Sequence, residues 1–136
     1  MSAIVPLLLV EPGRDELLAL LEEDSAILAW WGTRVDCTAA VARREREGAL
    51  AVADASAALD RLRVLATQWQ EIQPADAVRS TAERLLRVHP LRSADSLQLA
   101  AAIVAAEHEP ATLEFVSLDG RLNEAAGREG FPVRAR

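Results

Sequence analysis

The chain has 136 residues, 51% of them apolar, which suits a single domain over residues 1–136 with a core of its own. Its net charge of −6 sets 21 acids against 15 basic residues, all arginine, a balance that argues against generic duplex-DNA binding but leaves RNA open. One cysteine, Cys37, excludes a disulfide framework and a cysteine-rich zinc site. No apolar run is long enough to cross a bilayer and no signal-peptide pattern opens the chain, so a cytoplasmic protein without a membrane partner is expected.

Ser2 to Glu11 reads as a short apolar helix that stops at Glu11-Pro12-Gly13. Arg14 to Glu23 comes next as a helix, with Leu17, Leu18, Leu20 and Leu21 on its apolar face and Asp24-Ser25 closing it. Ala26 to Trp31 is the first strand candidate. Gly32-Thr33 offers a cap for a helix over Val35 to Glu47, ended by Gly48. Leu59, Leu62 and Leu65 mark helical spacing through Leu50 to Thr67, and Trp69 to Ile72 reads as a short strand. Ala75 to Val88 is an amphipathic helix stopped by His89-Pro90, and Ser93 to Glu109 a long Ala/Leu-rich one stopped by Pro110. Leu113 to Leu118 is the clearest strand. A helix over Arg121 to Glu129 and a last strand at Pro132 to Arg134 complete the chain. Helices alternating with short apolar strands imply an α/β fold with a parallel sheet covered on both faces. Chemistry in such sheets gathers at the carboxyl ends of the strands.

Asp119 stands directly after the strand candidate ending at Leu118, where that rule puts a functional carboxylate; an Asp-Gly turn or a helix N-cap is the ordinary alternative. Asp95 opens a helix whose following residues are mostly small or apolar. The helix dipole alone accounts for an acid there, yet a carboxylate near buried surface calls for a partner or a metal. Asp36 lies above the small apolar residue Ala40 rather than among the solvated charges from Arg43 to Glu47. Cys37 reads as a small core residue, and His89 and His108, each beside a helix end and a proline, as caps or surface residues. No phosphate loop, nucleophile elbow or paired-histidine motif occurs. A carboxylate-only set suits Mg²⁺ or Mn²⁺ better than zinc.

Three blocks together resemble the PIN domain, and within it the VapC-type toxins of bacterial toxin–antitoxin pairs. They are Asp36 with Arg43; Arg92-Ser-Ala-Asp95-Ser-Leu-Gln-Leu-Ala; and Phe115-Val-Ser-Leu-Asp119-Gly-Arg-Leu-Asn-Glu-Ala-Ala126 with Gly130-Phe-Pro-Val133. The resemblance implies a three-layer sandwich in which a short central parallel sheet is flanked by helices. It implies a metal-dependent endoribonuclease, with Asp36, Asp95 and Asp119 as catalytic metal carboxylates for Mg²⁺ or Mn²⁺. Asp36 falls where the family usually has glutamate. Ser2-Ala3-Ile4-Val5 resembles the family's segment just after its first strand and first aspartate, so that strand and ligand are expected to be absent. From its place at the end of the same strand as Asp119, Ser117 could orient a ligand or water, and Arg92, one helical turn before Asp95, could contact a phosphate, a purely structural role being the ordinary alternative for each. The implied partners are an RNA substrate, a small antitoxin protein and a second copy of the chain in a homodimer. Trp30, Trp31 and the Leu17 to Leu21 face are candidates for such contacts, with core packing the ordinary alternative. An inactive or truncated scaffold acting through protein contacts is the second expectation, and an unrelated helical adaptor whose acids are only caps is the third.

Overall fold

The computed structural model describes residues 4–9, 14–23 and 27–134, and among these residues seven α-helices are interspersed with four short strands. The expected turn at Glu11-Pro12-Gly13, the stop at Asp24-Ser25, and the residues Ser2, Ala3 and Ala26 lie outside the described residues, as do the side chains of Leu20 and Leu21. The chain divides into two compact units, residues 1–70 and 71–136.

The first unit holds α1 (Val5–Leu8), α2 (Arg14–Glu23), β1 (Leu28–Trp30), α3 (Thr33–Arg46) and α4 (Val52–Ala66). Leu17 and Leu18 do not share a face: Leu17 is 5% exposed and Leu18 38%. Adjacent helical residues point about 100° apart, so only one of them can meet the core. The helix at α3 starts two residues before the expected Val35, because Gly32 already has helical angles at the N-cap and Thr33 is buried. Its end is as the sequence implies. Gly48 takes a φ of 77°, and Ala49 N–H reaches back to the Arg44 carbonyl at 2.9 Å, using a carbonyl the helix leaves open. Small residues on α3 and α4 (Ala40, Ala55, Ala58) let the two helices approach closely around Cys37, Val41 and Leu62. Arg61 ties α4 to α1 by donating from Nε to the Leu8 carbonyl at 2.8 Å. Beside β1, the Ile27 carbonyl accepts from Gln70 N–H at 2.9 Å.

The second unit contains most of β2 (Gln70–Ile72), then α5 (Asp76–Val88), α6 (Ser93–Ala105), a 3-10 turn at Pro110–Thr112, β3 (Phe115–Val116), α7 (Gly120–Arg128) and β4 (Val133–Arg134). α5 packs along α6 over a broad face through Val78, Ala82 and Leu85, while α6 buries Ser96, Leu99, Ala100, Ala101 and Ile103. α6 is shorter than the Ser93 to Glu109 expected. Glu107 and His108 turn into the left-handed region, with φ of 53° and 61°, and His108 N–H closes the end on the Ile103 carbonyl at 3.0 Å. β3 is likewise cut from the expected Leu113–Leu118 to two residues, the length over which β4 offers a partner. The two strands run parallel, Phe115 opposite Val133 and Val116 opposite Arg134, with α7 as the crossover and Phe115 packed on Phe131. The fold is mixed α/β with short parallel strands. Within the second unit β3 and β4 form a two-stranded sheet. No helix of the described residues is long and apolar enough to cross a membrane.

Candidate functional site

Three residues build the β3–α7 junction. Asp119 is the N-cap of α7: its Oδ1 accepts from the backbone N–H of Arg121 at 2.9 Å and of Leu122 at 3.1 Å. These are two of the four donors that a helix start leaves unpaired. Ser117, 2% exposed, accepts from Asp119 N–H at 2.9 Å through Oγ. Asn123, one turn into α7, donates from Nδ2 to the Ser117 carbonyl at 2.9 Å. The carboxylate of Asp119 is therefore held at the carboxyl end of a parallel strand by its own cap, a serine behind it and an asparagine below. Only one of its oxygens serves the cap.

Asp95 lies in the first turn of α6, three residues after the N-cap Arg92. Its carboxyl pKa is raised above the ordinary 3.8. Burial is the main cause, the negative charge of Asp119 adds to it, and Arg92 opposes both. The Asp119 charge is thus near enough to oppose the ionisation of Asp95, each residue standing at the start of its own helix. Ser96, behind Asp95, is buried and donates to the Ser93 carbonyl at 2.8 Å, fastening that first turn.

Asp36, half-buried in the first turn of α3, belongs to the other unit. Its neighbour Cys37 is fully buried, and its thiol is pushed up to about 11, chiefly by burial and further by the Asp36 charge. That thiol stays protonated at neutral pH, as a core residue's does. Among the described residues, no group of three or more His, Cys, Asp and Glu side chains is placed to hold a metal ion. The donor set that is close together is the Asp95–Asp119 pair. A carboxylate whose ionisation a second one opposes is suited to a hard divalent cation, and Mg²⁺ commonly takes only one or two protein carboxylates and keeps several waters.

Two features are not legible in the sequence. Nothing in it singles out Asn123, whose role depends on α7 folding back under Ser117. His89, expected as a cap or surface residue, does occupy the C-cap of α5, but its ring is 5% exposed, with Nε2 2.8 Å from Glu129 Oε2. Arg84 binds the other oxygen of Glu129 at 3.0 Å. Burial alone would raise the pKa of Glu129, but the hydrogen bonds from Arg84 and His89 outweigh it and hold the carboxyl below its ordinary 4.5. This cluster clamps the end of α7 to the end of α5. His108, by contrast, is exposed, as expected.

No family model matches the sequence, and no curated protein matches it either.

Proposed function

We propose that this protein is a metal-dependent endoribonuclease of PIN-like architecture, acting as the toxin of a toxin–antitoxin pair. The observation that supports it most is the convergence of Asp95 and Asp119 at the amino ends of α6 and α7, directly beyond a parallel strand. In this reading Asp95 and the second oxygen of Asp119 hold Mg²⁺ or Mn²⁺. Bound there, the ion supplies an activated water and neutralises charge on the phosphate. Ser117 and Asn123 fix the backbone turn on which Asp119 stands, and Arg92 holds the substrate phosphate beside Asp95. Dimerisation and capture by a small antitoxin belong to the same reading.

The test is cleavage of a labelled RNA by the purified chain with Mg²⁺ or Mn²⁺. Metal-dependent cutting, lost in Asp95→Asn and in Asp119→Asn, is the expected result. No cutting with either metal, or cutting that survives both substitutions, overturns the assignment. The first of those outcomes leaves the inactive scaffold.

A further inference from the structure

A tryptophan exposed to solvent needs a reason, and Trp31 is 51% exposed in the turn that joins β1 to α3. Its position is not loose. Thr33, two residues on, is buried at 3% and anchors the start of α3. Trp30 packs edge-on to Trp31, with ring centroids 6.5 Å apart and an interplanar angle of 70°. Trp30 in turn lies so close to the Gly32 backbone that a Cβ there would come 2.5 Å from its Nε1. The exposed indole is thus braced by a second indole, which is braced by a glycine. Beside it, Arg34 is exposed in the first turn of α3. The other arginines of that helix, Arg43, Arg44 and Arg46, lie in its last turns, away from the indole.

We propose that Trp31 and Arg34 form a base-stacking platform for single-stranded RNA, the indole receiving a base and the guanidinium the adjoining phosphate. The choice of RNA rests on the function proposed above. The chemistry itself rests on this turn. Aromatic faces stack any base, and arginine contacts the backbone without regard to sequence. Arg34, in the first turn of α3, supplies the cation for that phosphate. A protein-binding patch of the same residues would place its charges at the rim and make the apolar surface the centre, so a protein partner is the rival outcome.

The experiment is fluorescence anisotropy of a labelled eight-nucleotide oligouridylate with the full chain in EDTA, so that binding is read without cleavage. Trp31→Ala should weaken binding by about 5- to 100-fold, from the usual value of one stacked base. Trp31→Phe should stay within about threefold of the parent, since it keeps a stacking face. Arg34→Gln should weaken binding and lower the salt dependence by about one phosphate contact. The idea is overturned if the parent chain does not bind, or if Trp31→Ala binds as the parent does. It is equally overturned if Trp31→Ala disrupts a dimer while leaving RNA affinity intact. Binding through Trp31 without any metal-dependent cleavage removes the nuclease and keeps the platform; cleavage with unchanged Trp31→Ala binding does the reverse.

Discussion

Gly32 and Asp95 are placed by opposite kinds of constraint. At Gly32 the constraint is steric: its φ of −76° suits any residue, but the Trp30 indole occupies the space a side chain would need. Gly32→Ala should therefore cost about 1–3 kcal/mol as the ring is displaced. Chemical denaturation measures that cost, and a shift in tryptophan emission should accompany it. At Asp95 the constraint is electrostatic. Burial and the Asp119 charge both disfavour its ionised form. Asp95→Asn should raise the unfolding midpoint at pH 7, by no more than about 1 kcal/mol because solvent screens a partly exposed group. A lower midpoint would mean that Asp95 is held by attractive partners instead. The sequence makes Asp95 a candidate because an acid stands where a helix with few polar residues begins. It does not show that the opposing charge is Asp119.

Among the elements, α7 carries two jobs on nine residues. Its amino end is capped by Asp119 and its carboxyl end is fixed by Glu129 to His89 and Arg84. Capping and metal binding can be separated at Asp119. Asp119→Ala should lose about 1 kcal/mol of stability with the cap, while Asp119→Asn keeps an oxygen for the two N–H donors and should lose much less. Urea unfolding of the two variants beside the parent measures the difference. If Asn proves as destabilising as Ala, the negative charge at the helix start matters more than the hydrogen bonds. Element ends are readable where one residue type decides them. Gly48 ends α3 and the proline after His89 ends α5, each because its local chemistry allows little else. The end of α6 is not readable, since Glu107 and His108 enter a conformation that non-glycine residues seldom adopt, and nothing in their side chains announces it. Strand lengths fail similarly. Apolar patterning marks what can be a strand, but β3 extends only as far as β4 is there to pair with it.

For the molecule as a whole, acid should act through Glu129 and Asp95 in opposite senses. Glu129 has a folded pKa below its ordinary 4.5. Its contribution is complete above that value and is lost as the pH falls through the folded one. Asp95 has a folded pKa above its ordinary 3.8, so its burden is complete at neutral pH and relieved on acidification. Glu129→Gln should cost about 1–3 kcal/mol at pH 7, since it leaves His89 and Arg84 without their acceptor charge. It should also flatten the acid limb of a plot of urea midpoint against pH. An unchanged acid limb would assign acid sensitivity to other carboxylates.

By itself the sequence determined that the chain alternates helices with short strands, that no described helix is suited to a bilayer, and where Asp36, Asp95 and Asp119 stand on those elements. These properties are local: hydrophobic period, turn residues and helix-start chemistry act within a few positions. Only the tertiary structure decided that the Asp119 charge acts on Asp95, that Ser117 and Asn123 fix the turn on which Asp119 stands, and that His89 is buried against Glu129 rather than exposed. Each of these joins residues on different elements or across a strand–helix turn. Their partners are fixed by how the helices pack and how the chain folds back, which no short window of sequence contains.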